Sequence, residues 1–332
     1  MKAGDYAGAS ADLDAIPRGD AAENDAASLR QTLDRVLAPR VVSAATALAD
    51  NQPLEVASAE VLASGWVSPR LELSAQTEVT ALRWESKLSG ALARASGRVR
   101  AGAAVVDLRA SVAGRSWSDR RSLWLASAGG ELFPAGMLRL QAGARRDEEL
   151  STPAAALLHV LKDSAFLSAS LHDATGFNAA AKVEATTYSD GNVALLTYGW
   201  FTYALLESPL RLDVGYAAAF RDTQESRWNS ARGVYFPYTA PLKAFRHGPV
   251  AAVAVALWKI RAGSSVSAAL VASETDPTTF EWYESRRPTS YLEARGFLRL
   301  EGADAGLEAS YDHLRDGYYV SHTAKLSSHV VF

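Results

Sequence analysis

Residues with catalytic or metal-binding chemistry are scattered through the chain without the spacing that an active site requires. There are six histidines and no cysteine, so disulfides, thiolate metal sites and cysteine nucleophiles are excluded. The histidines lack the His-x-x-x-His and His-Glu-x-x-His spacings of zinc sites. No Gly-x-Ser-x-Gly nucleophile elbow and no phosphate-binding loop occurs. The sequence therefore predicts no enzyme, no metal site and no bound cofactor.

The charged residues instead follow a two-residue period. In residues 211–221, Leu212 and Val214 share one face of an extended chain, and Arg211 and Asp213 occupy the other. Side chains alternate between faces along a strand, so this pattern predicts strands with one apolar and one polar face. The same alternation recurs in residues 70–77, 137–145, 291–301 and 305–312.

The chain ends on an amphipathic run of the same kind. Residues 318–332 alternate, and no turn follows the terminal Phe332. Such an ending resembles the last strand of bacterial outer-membrane β-barrels, in which the C-terminal aromatic residue is part of the insertion signal. The resemblance implies that role for Phe332. A closing strand of a soluble sandwich has the same alternation.

Overall composition limits the classes of protein to which the chain can belong. It has 332 residues, of which 48% are hydrophobic and 21% are charged, a composition typical of a folded protein. The net charge of -3 argues against a nucleic-acid partner. The most apolar run, residues 250–258, is about half the roughly 18 residues that a membrane helix needs. A membrane-spanning form of this chain would therefore be a closed barrel.

The N-terminal part has a helical character. Residues 4–17, with Gly-Asp-Tyr at the start and Pro at the end, resemble the second helix of a tetratricopeptide repeat. Residues 24–37 place leucines near helical spacing and predict a second helix. No apolar signal segment precedes them, and we expect a longer natural chain with further repeats upstream. We assign residues 1–39 to a periplasmic repeat-like segment and residues 40–332 to the β-domain.

The connections between alternating runs fall into two length classes. Ser189-Asp190-Gly191-Asn192 predicts a hairpin turn, because Asp-Gly tolerates positive φ. Counted back from the C-terminus, the long connections of the C-terminal part fall on one side, as in barrels with short periplasmic turns and long extracellular loops. Tight joints are predicted at residues 68–69, 96–98, 133–134, 208–209, 261–263 and 301–303, and long connections at 115–120, 146–162, 222–248 and 274–289.

The prediction is therefore an all-β fold, a transmembrane antiparallel up-and-down barrel of about sixteen strands. The alternative is a soluble β-sandwich binding module, in which the apolar faces would meet each other. In the barrel the apolar faces contact outer-membrane lipid and the polar faces line a lumen. The residues placed in the lumen by parity are Arg139, Arg145, Lys182, Glu184, Arg211, Asp213, Glu293, Arg295, Arg299, Glu308, Asp312 and Lys325.

Aromatic residues near the predicted strand ends are typical of interfacial girdles. Residues 152–162 are ambiguous and predict a short helix either in a loop or in the lumen. The residues assigned to the girdle are Trp66, Trp84, Trp117, Trp124, Trp200, Trp258, Tyr198, Tyr203 and Tyr318.

These features together resemble the barrel end of tetratricopeptide-repeat porins that export exopolysaccharides such as cellulose or poly-N-acetylglucosamine. The matching features are residues 4–17, the turn at 188–192, the Tyr-Phe-Pro-Tyr segment at 235–238 and Phe332. The resemblance implies a passive outer-membrane channel through which a polysaccharide chain slides, with periplasmic export partners reached through the upstream repeats. A second hypothesis is a repeat-plus-barrel protein that delivers surface lipoproteins.

Overall fold

A computed structural model gives the fold of the chain. It describes residues 6–15, 23–51, 54–83, 87–101, 106–135, 137–173, 175–206, 209–225, 228–229, 234–235, 240, 243–257, 259–272, 289–302, 304–316 and 319–332. Of the aromatic residues assigned to a girdle, Trp84, Trp258 and Tyr318 lie outside these residues, as do Gly4 and Pro17 of the repeat-like segment.

Two helices precede a long series of strands. The helices are α1 (Tyr6–Asp14) and α2 (Glu23–Leu37), and a short helix, α3 (Pro153–Leu157), lies between two strands. Neither N-terminal helix nor α3 has the length and apolarity of a bilayer-spanning helix within the part of the chain that is described. The strands are β1 (Arg40–Asp50), β2 (Glu55–Ser68), β3 (Leu71–Arg83), β4 (Lys87–Ala101), β5 (Val106–Trp117), β6 (Ser122–Ala135), β7 (Leu138–Glu148), β8 (Leu161–His172), β9 (Phe177–Tyr188), β10 (Val193–Leu206), β11 (Leu210–Thr223), β12 (Trp228–Asn229), β13 (Val234–Tyr235), β14 (Ala244–Leu257), β15 (Ile260–Ala272), β16 (Thr289–Glu301), β17 (Ala305–Asp316) and β18 (Tyr319–Val331).

Sixteen of these strands form one closed antiparallel barrel, in which each strand pairs with its neighbours in the chain and β1 pairs with β18. The pair β12–β13 is a separate two-stranded ribbon within the connection between β11 and β14. The prediction of an up-and-down barrel of about sixteen strands is confirmed, and the sandwich alternative is wrong because a single closed sheet has no second layer.

The barrel closes where its chain begins and ends. Arg40 is the cross-strand partner of Val331, and the backbone N–H of Phe332 donates to the carbonyl oxygen of Pro39 across 2.9 Å. We call this end of the barrel the terminal end and the opposite one the loop end. The Phe332 side chain is exposed, and its role in insertion stays a prediction.

Connection lengths differ between the two ends. At the terminal end the strand bounds leave only short links, such as residues 69–70 and 302–304. The longest connections, residues 149–160, 224–243 and 273–288, are all at the loop end. The asymmetry expected from the sequence is therefore present.

Four of the predicted connections were wrong in detail. Residues 96–98 lie inside β4, residues 133–134 inside β6 and residues 261–263 inside β15. The predicted long connection at 115–120 is a tight turn at 118–121. Glycine and proline mark turns in sequence, but Gly97 and Gly263 instead occupy strand positions beside larger side chains, Leu73 and Phe297 respectively.

The outward face of the barrel is apolar. Large hydrophobic side chains stand exposed on strands all around it, and Val79, Val112 and Leu167 are each more than half exposed. A water-soluble protein rarely exposes so extensive an apolar surface. Contact with hydrocarbon explains it, because the lipid-facing side chains of transmembrane barrels form such a band.

The helices dock at the terminal end. The ring of Tyr6 packs edge-on against Trp66, with centroids 5.5 Å apart. The guanidinium carbon of Arg100 lies 4.5 Å from the Tyr6 ring centroid and 4.9 Å from that of Trp66. Arg35 forms an exposed ion pair with Asp304 at 3.0 Å. Aromatic, cation–π and ionic contacts thus attach the described helices to the barrel.

Candidate functional site in the barrel interior

The interior face can be followed strand by strand from the register. Leu92, Ala113 and Leu125 are buried together on neighbouring strands, and in a strand every second residue shares their face. Cross-strand partners also share a face, so the pairing carries the assignment around the barrel. On this basis the interior includes every charged residue that the sequence placed in a lumen. That these residues line a conducting path stays a prediction.

Most of these predicted residues meet one another in ion pairs. Arg145 and Lys182 both contact Glu184, Arg211 binds Asp213 at 2.8 Å, Arg295 binds Asp312, and Arg299 lies 3.3 Å from Glu308. Three residues behave differently. Arg139 pairs with Glu131 at 3.0 Å, Glu293 accepts a hydrogen bond from the Tyr291 hydroxyl at 2.5 Å, and Lys325 has no ion pair among the described residues.

A second group of interior charges includes Arg139 and other residues, and these others were not placed in the lumen from the sequence. It forms a continuous chain of ion pairs across β1 to β7 near the terminal end. The signal was the same alternation, hidden because residues 96–98 were interpreted as a turn. The successive ion pairs are Arg40–Glu72 (3.0 Å), Glu72–Arg98 (3.3 Å), Arg98–Asp107 (2.5 Å), Asp107–Arg109 (3.3 Å), Arg109–Glu131 (3.5 Å) and Glu131–Arg139 (3.0 Å).

Residues 149–160, which we call the inward loop, fold into the mouth of the barrel at the loop end. Ala156 packs with Leu82, Leu88 and Trp117, which face the interior from β3, β4 and β5. On its other side the loop buries Ala155 and Val160 with interior residues of β9 and β10. The ambiguous segment of the sequence is therefore a short helix inside the barrel.

Local sequence explains why the inward loop turns at this point. The hydroxyl of Thr152 caps α3 by accepting a hydrogen bond from the Ala155 N–H at 3.1 Å, and Pro153 fits the first helical turn. The helix ends after one turn, and His159 has a positive φ of 50°. This conformation is unusual for a residue other than glycine, and side-chain contacts hold it in place.

Those contacts form a buried polar cluster at the base of the inward loop. His159 Nδ1 is 3.1 Å from Glu148 Oε1, and His159 Nε2 is 2.7 Å from Asp119 Oδ2. Glu148 also accepts hydrogen bonds from Arg115 at 3.3 Å and from the Trp117 indole at 3.2 Å. The Glu148 side chain is fully buried, so each contact replaces water that it has lost.

Two carboxyl groups at the base of the inward loop, both outside the strands, have shifted pKa values. One is Asp119 of this cluster, and the other is Glu149, which is next to Glu148 in the chain. Hydrogen bonds from His159 and from the Arg121 N–H hold the pKa of the Asp119 carboxyl below its usual value. Burial alone would raise the pKa of Glu149. The Lys162 ammonium group and hydrogen bonds from Ser151 outweigh burial, so the pKa of Glu149 is also lowered. Both groups are therefore held as anions that fasten the inward loop.

The opposite side of the interior is open. A cavity of about 580 Å³ extends from His172 and Arg211 near the terminal end to Arg246 and Tyr291 near the loop end. A second cavity of about 320 Å³ shares Tyr291 with the first and reaches Leu150 and Ser151 of the inward loop. Together they form a cleft along one wall that reaches the inward loop. We call it the open cleft.

Aromatic side chains line this cleft. Trp200 and Tyr198 face it from β10, and the cross-strand neighbours of Trp200 are Ala180 and Ala217. These small neighbours leave the indole standing above the wall. Near the loop end the guanidinium carbon of Arg246 lies 3.9 Å from the Tyr291 ring centroid. Stacking surfaces and hydrogen-bonding groups are thus combined in the cleft.

The girdle prediction was wrong for several of these residues. Trp66 and Trp117 face the interior, as do Trp200 and Tyr198, whereas Trp124 and Tyr203 are exposed on the outward face. Proximity to a strand end does not decide the direction of a side chain. The parity of the residue within its strand does.

Comparison with known proteins identifies a fold but no family. No protein-family model matches the chain, and no curated protein matches it either. Among solved structures, a bacterial polysaccharide outer membrane secretin aligns with a TM-score of 0.71 and 14% identity, covering 89% of this chain and 99% of its own. CdiB from Acinetobacter baumannii aligns with a TM-score of 0.53 and 8% identity, covering 87% of this chain and 60% of its own.

Both structures are far below the identity at which function can be carried from one protein to another. What they share with this chain is the fold, and the alignments cover 89% and 87% of the chain. The chain therefore has the fold of the outer-membrane β-barrels.

Proposed function

We propose that the chain is a porin-like channel of the bacterial outer membrane that exports an exopolysaccharide. The observation that carries the proposal is the open cleft, which extends along one wall from near one end of the barrel to the other. The likeness to a polysaccharide outer membrane secretin supports the choice of cargo. The apolar outward face supports the location, with lipid as its partner.

The chemistry of the cleft suits a hydrated sugar chain. Trp200 and Tyr198 offer aromatic faces on which pyranose rings can stack. Asn178, Thr202 and Ser267 offer hydrogen-bonding groups along the same wall. Exit from a channel requires binding that is weak at each position and repeated at many. A wall of separated aromatic and polar groups provides such binding.

The charges of the interior fit a cargo that is not strongly ionic. Most carboxylates of the cleft already have a cationic partner, as Asp213 has Arg211 and Asp312 has Arg295. Paired charges keep the wall polar and hydrated while presenting little net field to the cargo. A polymer with hydroxyl and amide groups would therefore slide along it without being trapped.

The lengths of the connections support an orientation in the membrane. We place the terminal end, with α1 and α2, in the periplasm, because outer-membrane barrels have short periplasmic turns and longer extracellular loops. The helical segment would then meet periplasmic export partners. Phe332, at the same end, would act as the insertion signal. The inward loop would narrow the exit from the extracellular side.

Planar-bilayer recordings with purified protein test this function. We expect an ion-conducting pore whose current is blocked by oligosaccharides, with the block weakened up to about tenfold in Trp200→Ala, since one aromatic stacking contact contributes about 0.5–1.5 kcal/mol. Phe201→Ala is the matched control, because Phe201 is the next residue on β10 and faces outward. A pore that no oligosaccharide blocks, or equal effects of the two substitutions, would contradict the proposal.

A further inference from the structure

Two histidines stand side by side on the outward face of the last hairpin. His313 on β17 and His322 on β18 are direct cross-strand partners. They face outward because the adjacent Asp312 and Leu314 line the interior cavities. Their ring centroids are 4.8 Å apart, and their Nδ1 atoms approach to 3.4 Å.

This separation matches the spacing of two ligands on one metal ion. Imidazole nitrogens bind zinc at about 2.0–2.1 Å, and two such ligands at a tetrahedral angle lie about 3.3–3.4 Å apart. The side chains would therefore need little movement to chelate an ion between them. Copper, nickel and zinc are the ions that imidazole suits.

The Tyr311 hydroxyl is a third polar group beside the two imidazole nitrogens. The hydroxyl of Tyr311 lies 2.6 Å from the Nδ1 atom of His322. A neutral imidazole nitrogen offers either one proton or one lone pair, so His322 Nδ1 satisfies only one of its two neighbours at a time. A cation between the two rings would take the Nδ1 lone pairs of both imidazoles. The Tyr311 hydroxyl would then lose its hydrogen bond to His322 Nδ1 and would offer its oxygen as a further donor to the ion.

The surroundings leave space for an ion with its water molecules. The outward neighbour of His313 on β16 is Ala294, and that of His322 on β1 is Ala49. Within the described residues, no group of three or more histidine, aspartate or glutamate side chains gathers in a metal-binding arrangement. The site is three residues from the loop end of β18, near the rim of the barrel, so water from that rim would complete the coordination sphere.

We propose that His313 and His322 form a binding site for a divalent transition-metal ion, with the Tyr311 hydroxyl as a neighbouring oxygen donor. The site lies three residues from the loop end of β18, next to the strand that closes the barrel. A bound ion would fasten β17 to β18. This inference is independent of the proposed export function, because it concerns the outward surface.

Copper binding to the full chain in detergent, prepared without a histidine tag, tests the site. Electron paramagnetic resonance of one equivalent of Cu²⁺ should show coordination by two imidazole nitrogens. Among divalent ions the affinity should be highest for copper. His313→Ala and His322→Ala should each weaken binding at least tenfold, and the remaining signal should contain one imidazole nitrogen.

His247→Ala is the matched control. His247 also faces outward and contacts a tyrosine hydroxyl, that of Tyr216 at 2.5 Å, but its cross-strand partner on β11 is Ala218. Its replacement should leave copper binding unchanged. Heat-modifiable migration on a detergent gel verifies that each variant keeps a folded barrel. Copper binding that survives His313→Ala undiminished, or a wild-type signal without two imidazole nitrogens, would overturn the proposal.

Discussion

The two sides of the barrel interior are built from the same alternating strands but differ in what fills them. On the side covered by the inward loop, the Arg115 and Glu148 side chains are 7% and 0% exposed. On the side of the open cleft, Arg295 and Asp312 form a similar pair that is 58% and 24% exposed. The strands alone do not create this difference in exposure. It arises because the inward loop, one long connection, folds over one side of the interior.

The contribution of an ion pair to the stability of this barrel thus depends more on how deeply the pair is buried than on which residues form it. An exposed pair gains little, because water and salt screen it and two side chains must be ordered. A buried pair is costly to break, because the remaining charge is left without solvent. The covered side therefore depends on its charges for structure, whereas those of the open cleft remain available to a passing molecule.

Removing the inward loop should have the largest effect. Replacement of residues 153–158 by a short glycine-serine linker removes α3 from the mouth, and we expect single-channel conductance to rise several-fold. The reason is that the loop occupies space above β3, β4 and β5. Conductance equal to that of the parent protein would mean that the inward loop does not limit the path.

Breaking the buried pair should have the next largest effect. Arg115→Ala leaves Glu148 without its cationic partner, and we expect the free energy of unfolding to fall by about 3 kcal/mol. Arg295→Ala is the matched control on the open side and should cost less than about 1 kcal/mol. Urea titrations in lipid or detergent measure both. Similar losses for the two variants would remove the distinction between the two sides.

Acidification should loosen the inward loop. The pKa values of Asp119 and Glu149 are lowered in the folded protein, so their stabilising contribution is present at neutral pH. It is lost as the pH falls below about 4, where these carboxylates become protonated. Conductance should therefore rise at acidic pH.

Asp119→Asn separates this effect from general acid denaturation. The variant keeps the shape of the side chain but cannot titrate, so its conductance should change less between pH 7 and pH 3. An unchanged pH profile in the variant would assign the acid response to groups elsewhere.

The smallest effect is expected at Lys325. This interior residue has no ion pair among the described residues, and its side chain is exposed. Lys325→Ala should change the free energy of unfolding by less than about 0.5 kcal/mol. It should still shift the channel's preference slightly toward cations, which reversal potentials in a salt gradient measure. A large loss of stability would show that Lys325 has a partner in the folded protein.

The parity of residues within strands could be read from the sequence, and it predicted most of the strands and their apolar and polar faces. Residues 211–221 alternate without interruption, so the two-residue period alone assigns Arg211 and Asp213 to the polar face. The unequal connections then favoured a barrel over a sandwich. These features are local, and a two-residue period is a direct consequence of strand geometry.

The position of the inward loop could not be read in the same way. Its signal was a few apolar residues in a polar connection. Leu150 and Ala156 pack against residues of β3 to β5, and Ala155 packs against residues of β9 and β10, all distant in the chain. Trp117 and Trp200 were likewise misassigned, because their positions near predicted strand ends outweighed their parity. Long-range packing decided the position of the inward loop, and no short stretch of sequence records it.

The seam between β1 and β18, where the barrel closes, has a consequence for how the protein folds. Ser43 and Ser328, whose hydroxyl oxygens lie 2.8 Å apart across it, are separated by 285 positions in the chain. The cylinder therefore cannot shut until β1 and β18 are both in place. Until then the open sheet has two unpaired edges, which is the state most prone to pairing with other chains.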